Sequence, residues 1–442
     1  MRYRLRFAHG FIAVAALVIA PLTSVAQQNV PIVTLPAASA TTATTFGAIL
    51  DVRELSHGGL LVNDAGRRLI TVLDSTLAPK TVVVDSVRGG PNYYGVWALG
   101  LIPYLADSTL YPVWPTLKVF DPRGVAIRSM AAPLQSVIVL KRARSDNTGR
   151  IIFRALPVVA SKAQPGVPAV QEDSAPLVRI DLEHRSLDTI GYVGRPLRRT
   201  DAIAPRDLRP DGKLLPNAIA SSFWSADPLR TVDDWTVLTD GSVAIVRGHD
   251  YHIDWIRPNG TKESTPKMPF DWRPLTEADK QAMVDSAQAQ RLVAARNNTL
   301  MDNRVDTFGG WRPAAGTVAL DTAALVYSNN DAGVQLIVLP APKPAADSIP
   351  DYYPPIRKDA AMADRDDHLW ILPTTSKQSK AGELVYDVIN TKGELFERVR
   401  VPLGRYIVGF GREGTVYLAT GSVSKGFTIE RTKLPASKNS SN

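Results

Sequence analysis

The residues of this 442-residue chain able to do chemistry are few and concentrated. His249, Asp250, Tyr251, His252 and Asp254 lie within six positions and include two of the six histidines. A strand through 251–255 puts His252 and Asp254 on one face and Tyr251, Ile253 and Trp255 on the other. Beside a turn, such a patch can contact a polar ligand or exchange protons. Packing of the aromatic face, with His252 and Asp254 satisfying polar neighbours, explains the same residues without catalysis, and the pattern favours that account.

Metal chemistry finds little support. His249 and His252 point to opposite faces of a strand, and no third ligand is evident, so no metal site is assigned. Asn63-Asp64, Asp121, Asp240 and Asp364-Arg365-Asp366-Asp367 lack the alternating oxygen ligands and closing glutamate of a calcium loop and read as turn formers. Nucleophilic catalysis is equally thin. No G-x-S-x-G elbow occurs, and Ser264 to Lys267 and Ser422 to Lys425 match Ser-x-x-Lys only in polar, loop-like stretches. The phosphate-cradling G-x-x-x-x-G-K-[ST] pattern is missing. Catalytic residues stay unassigned and no cofactor is evident.

The elements that must position these residues repeat along the chain. GLLVND at 59, STLYPVW at 108, GRIIFRA at 149, GSVAIVRG at 241, HLWILPT at 368 and GTVYLAT at 414 are each followed by a second extended segment. Those partners are RLITVLD at 68, TLKVFDP at 116, LVRIDLE at 177, YHIDWIR at 251, LVYDVIN at 384 and FTIERTK at 427. Turns precede the first set: Ser56-His57-Gly58-Gly59, Thr239-Asp240-Gly241, Arg365-Asp366-Asp367 and Arg412-Glu413-Gly414. Further turns, DPRG at 121–124, RPNG at 257–260 and NTKG at 390–393, follow the second set. Gly, Asp and Asn tolerate the positive φ of tight hairpins. Short strands at a period of about 40–50 residues predict an all-β, six-bladed β-propeller of four-stranded antiparallel blades.

The units are separated by 49, 41, 92, 127 and 46 residues, so two intervals are overlong. Residues 195–230 read as a surface excursion. Residues 276–298 predict a helix opened by a capping box from Thr276 to Asp279, and 317–340 a hairpin. Together they make an insertion spanning about 276–350, with a degenerate seventh blade as the alternative. The propeller domain is expected over 46–434, preceded by a flexible leader at 27–45 and followed by a disordered tail at 435–442.

Composition sets the compartment. Arg2, Arg4 and Arg6, an apolar run from Phe11 to Ala20 and the small-residue end Ser24-Val25-Ala26 predict a signal peptide cleaved near Ala26. The run is too short to span a bilayer, so a periplasmic or secreted protein with no membrane span is expected. The chain has no cysteine, which excludes disulfides and thiolate sites. Without the signal the balance is 48 basic against 43 acidic residues, scattered rather than clustered. Nucleic acid is therefore not an expected partner.

The GLLVND and RLITVLD unit resembles the NHL-type blade, and VLTDGSVAIVRGHDYHIDWIRPNG followed by LTEADK is similar to exported bacterial six-bladed propellers of NHL-like or TolB-like type. The resemblance implies a scaffold binding a small molecule, glycan or protein through one face of the ring, that of the turns between second and third strands. The alternative it implies is a metal-dependent hydrolase or lactonase, with a divalent cation such as calcium in the central channel. That site needs Glu, Asp or Asn from several blades converging on one point.

Overall fold

A computed structural model describes residues 30–132, 137–155, 174–194, 198–203, 220–225, 229, 231–286, 323–330, 333–340 and 349–435. The expected signal at 1–26 and the tail from 436 lie outside the described residues, as does the expected helix beyond 286.

Six sheets form the blades; four run wholly in sequence order from the first strand outward, and in the last two an N-terminal strand is added at the outer edge. Blade one is Ile49–Glu54, Leu60–Asp64, Leu69–Leu73 and Pro79–Val84. Blade two is Ile102–Pro103, Thr109–Val113, Thr116–Phe120 and Ala126–Ala131. Blade three is Arg144–Ser145, Ile151–Arg154, Ser174–Asp181 and Ser186–Gly194, and blade four Asp234–Val237, Val243–Arg247, His252–Ile256 and Lys262–Ser264. Ile356–Ala363, Leu369–Pro373, Leu384–Ile389 and Leu395–Val401 make blade five, while Arg405–Phe410, Thr415–Ser422 and Gly426–Lys433 begin blade six. All pairings within these sets are antiparallel.

Every predicted second and third strand is present. Their order of burial explains why those two are the legible ones. Leu60–Asp64 and Thr109–Val113 are buried throughout, whereas Pro79–Val84 and Lys262–Ser264 lie at the rim and are largely exposed. A strand covered on both faces must be apolar along its length; a rim strand need not be. The hairpin turns use the backbone the sequence implied, with φ of 90° at Gly241 and 69° at Gly414, a region where only glycine is unstrained.

Six apolar clusters lie one at each contact between neighbouring blades, and a smaller one of Leu229, Leu275, Val284 and Ile349 lies outside the blades. Leu55, Val72, Leu101 and Tyr111 join blades one and two, and Ile102, Leu117, Phe153 and Ile180 join two and three. Ile152, Leu177, Trp235 and Ile245 join three and four, and Val246, Tyr251, Trp255 and Ile371 join four and five. Trp370, Val399, Val416 and Leu418 join five and six, and Val52, Leu60, Tyr417 and Ile429 join six back to one. This sequence of contacts closes the ring.

The expected leader corrects itself here. Ala40–Thr41 pairs antiparallel with Gly426–Lys433 as the fourth strand of blade six, and Ile32–Thr34 pairs parallel with Leu395–Val401 as a fifth strand of blade five. Leu35, only 2% exposed, sits in the cluster between those blades. Open sheet edges carry unpaired backbone groups, and this low-charge segment covers two of them. Its strands of three and two residues, interrupted by prolines, carry no readable alternation.

The long intervals do not add a blade. Arg198–Ile203 with Ala220–Ser225, and Ala323–Asn330 with Gly333–Pro340, form separate two-stranded sheets. Residues 277–286 are helical. The capping box is present: the Thr276 amide donates to Asp279 Oδ2 (3.0 Å) and the Asp279 amide to Thr276 Oγ1 (3.1 Å).

Candidate functional site

Strand alternation sorts the turns between two faces. Those joining first to second strands, and third to fourth, gather at one end of the ring, and those joining second to third strands at the other. The innermost strands of all six blades line an axial cavity of about 580 Å³, which the turns between first and second strands border. Small-molecule sites occupy roughly 300–1,000 Å³.

The wall of this cavity is charged. On blade one, Asp51 and Arg53 flank Val52, whose side chain enters the contact with blade six. Asp51 Oδ2 accepts the Leu101 amide (2.8 Å) and Oδ1 the Asn63 amide (2.9 Å). Asn63 is held in turn by Tyr94, whose hydroxyl donates to Asn63 Oδ1 (2.6 Å), and the Tyr111 hydroxyl donates to the Tyr94 carbonyl (2.9 Å). Burial pushes the Asp51 carboxyl up to about 6, against the opposing pull of those donors and of Arg144.

Arg53 is 7% exposed and donates to Asp107 Oδ1 (2.8 Å), to the Asp107 carbonyl (3.1 Å) and to Thr109 Oγ1 (2.7 Å). Two further guanidiniums approach the same carboxylate: Arg365 of blade five at 3.8 Å and Arg412 of blade six at 3.7 Å. Burial, Arg365 and Arg412 together push Arg53 down to about 10, with Asp107 acting against them. Arg53 Nε and Asp107 Oδ2 are buried without a hydrogen-bond partner.

The other carboxylates of the wall are committed. Asp146 accepts from Arg150 Nε (2.7 Å) and from the Thr148 and Arg150 amides. Asp364 accepts from His368 Nδ1 (2.8 Å), Trp370 Nε1 (2.9 Å) and two turn amides. Among the described residues no three His, Asp or Glu converge to hold a metal ion.

The histidine patch of blade four lies on the opposite face, in the turn between second and third strands. The predicted alternation holds: Tyr251, Ile253 and Trp255 are buried, and His252 and Asp254 are half-buried. Tyr251 has φ of 55° and donates its hydroxyl to Asp387 Oδ2 (2.7 Å), itself paired with Arg398 (2.8 Å). Asp254 is held by Arg247 Nε (2.7 Å) and Ser264, and His252 lies between Asp250 and Asp254. His249 is exposed. None of the five residues reaches the axial cavity. Six tryptophans whose side chains are described do not ring it either: Trp235, Trp255 and Trp370 are core, and Trp97, Trp114 and Trp272 are about half exposed elsewhere.

Sequence reasoning missed Arg53, Asp107, Arg365 and Arg412. One signal was available. The turn register that stacks Arg365-Asp366-Asp367 over Arg412-Glu413-Gly414 gives two neighbouring blades an arginine at the same position.

No protein-family model matches the chain, and no curated protein does. Among solved structures it is similar to a member of the DUF4221 family from Bacteroides vulgatus, with 10% identity and a TM-score of 0.43 over 90% of this chain and 96% of that one. It is also similar to a virginiamycin B lyase from Staphylococcus aureus, with 9% identity and a TM-score of 0.36 over 89% and 98%. A third is regucalcin, a calcium-binding protein from Agrobacterium tumefaciens, with 10% identity and a TM-score of 0.36 over 92% and 97%. These likenesses concern the fold alone.

Proposed function

We propose that this protein is an exported binding propeller that takes a small molecule into its axial cavity from the face of the turns between first and second strands. The observation that carries the reading is the cavity itself: about 580 Å³, lined by all six blades, with Arg53, Arg365 and Arg412 in its wall. Convergent polar groups in a preformed concavity are what small-molecule recognition requires. Export is supported by the basic, apolar and small-residue order of residues 1–26. No helix among the described residues is long and apolar enough to cross a membrane.

A ligand-stabilisation screen tests the reading, because a compound that binds the folded state raises the unfolding temperature with its occupancy. Leu50 lines the cavity and is 37% exposed, outside the packed core. Leu50→Trp is expected to keep the fold and abolish the shift given by any hit. Hits whose shifts survive Leu50→Trp place binding elsewhere and refute the reading.

A further inference from the structure

We infer that the occupant of the cavity is an oxyanion, a carboxylate or a phosphoryl group, received by the guanidinium groups of Arg365 and Arg412 above Arg53. The inference rests on the axial-cavity reading and adds the chemical class of the ligand.

Charge balance at this spot is the argument. Three guanidiniums share Asp107, and only Arg53 is within hydrogen-bonding distance of its carboxylate. At 3.8 and 3.7 Å, Arg365 and Arg412 lie beyond that distance. Their own hydrogen bonds go to backbone carbonyls, Arg365 to Glu54 (3.1 Å) and Arg412 to Ser56 (3.4 Å).

Neighbouring carboxylates do not supply the missing charge directly. Glu54 accepts the Tyr417 hydroxyl (2.9 Å) and the Arg412 amide (2.8 Å), and Asp366 accepts the Gly414 amide (2.6 Å). Asp364 is held by His368 and Trp370. Neither Glu54 nor Asp366 makes an ion pair with the three arginines among the described residues.

Like charges so placed repel, and in a partly enclosed cavity water screens them poorly. The arrangement is stable only because Asp107 sits among them, and a second anion would complete it. Arg365 and Arg412 are 27% and 49% exposed, so both remain reachable from the cavity. The planar guanidinium fork suits carboxylate and phosphoryl oxygens, which accept two parallel N–H donors.

Titration calorimetry of the full chain at low ionic strength, with inorganic phosphate, acetate and glucose as separate probes, tests the inference. At least one anion is expected to bind and glucose to give no heat. Arg365→Gln and Arg412→Gln are each expected to weaken the anion at least tenfold, the double variant to abolish binding, and Lys262→Gln on the exposed rim of blade four to change nothing. Stronger binding of phosphate than acetate identifies a phosphoryl ligand, and the reverse order a carboxylate. Because Arg412→Gln relieves repulsion, its unfolding temperature should equal or exceed that of the unmodified chain; a large fall would show a structural ion pair and overturn the inference. Absence of anion binding, or binding that survives the double variant, also overturns it. If neutral compounds bind and Leu50→Trp blocks them while both anions fail, the cavity reading stands without the anion. If anion binding depends on the arginines yet ignores Leu50→Trp, the anion stands without the cavity.

Discussion

Asp51 shows how an ordinary carboxylate becomes informative once its surroundings are known. Its oxygens are engaged by Leu101 and Asn63, yet burial dominates and holds the carboxyl up at about 6 against an ordinary value of 3.8. A raised carboxyl favours the protonated, folded state. Its contribution is therefore fully present below pH 3.8 and lost as pH rises through about 6. The loss is bounded at about 3 kcal/mol across that window, less where water in the cavity screens the charge. Urea midpoints of the unmodified chain and Asp51→Asn, measured between pH 4 and 7, should show a shallower decline in the variant. Parallel curves would remove Asp51 from the account. Tyr251 carries the second expectation at this scale. Its hydroxyl helps Arg398 hold a buried Asp387, so Tyr251→Phe should cost about 1–3 kcal/mol in urea unfolding while leaving ligand shifts untouched. That outcome would identify the histidine patch as a structural turn; a lost ligand shift would restore it as a site. The five residues of the patch were readable because they are rare and adjacent. Arg53, Asp107, Arg365 and Arg412 were not, because their proximity comes from three hundred or so positions of intervening chain folding into a ring.

At the scale of elements, the strands the sequence made legible are those buried on both faces, whose Val, Ile and Leu runs are bounded by Gly, Asp and Asn turns. What escaped were first and fourth strands, as long as Ser186–Gly194 and as short as Ile102–Pro103 and Arg144–Ser145, and the N-terminal pieces Ile32–Thr34 and Ala40–Thr41. Two or three residues cannot display a period, and their strand state comes from the edge they pair with rather than from their own preference. Residues 30–42, within the leader expected at 27–45, give no strand signal for that reason. They act as a strap: the Arg398 amide donates to the Pro31 carbonyl, Leu35 donates to Arg400, and Thr42 donates to Ile429 (2.8, 3.0 and 2.9 Å). Leu35 fills the seam between blades five and six, so Leu35→Ala should cost about 2–5 kcal/mol, read as a lower urea midpoint. A change below about 0.5 kcal/mol, the range of surface substitutions, would show that the strap does not bear on stability.

The whole molecule is a ring of shared interfaces, and no blade owns its core. Each of the six clusters between blades belongs to two of them, including the cluster of Val52, Leu60, Tyr417 and Ile429 that joins the last to the first. A repeat that cannot bury its own faces is stabilised by its neighbours. Removing residues from Arg405 onward takes away blade six and strips one face from blades one and five. Such a truncated chain should lose the cooperative urea transition, and a retained sharp transition would mean that five blades form a self-sufficient unit. The same closure creates the axial cavity, since only a ring brings first-strand residues of all six blades to one place.

The boundary between sequence and structure runs along this division. Repetition, turn chemistry and apolar runs are local properties, and they determined the six-bladed all-β architecture, the blade order and the Thr276 cap. The absence of cysteine and the pattern of residues 1–26 determined the expected compartment in the same local way. Which side chains share a cavity is set by where separate blades stand around an axis. Tertiary structure alone decided that the strap closes two blades, that Tyr251 is bonded to Asp387, and that three arginines from blades one, five and six meet over a single aspartate. The physical reason is that strand pattern follows from burial of neighbouring residues in the chain, whereas a binding site here is made by ring closure.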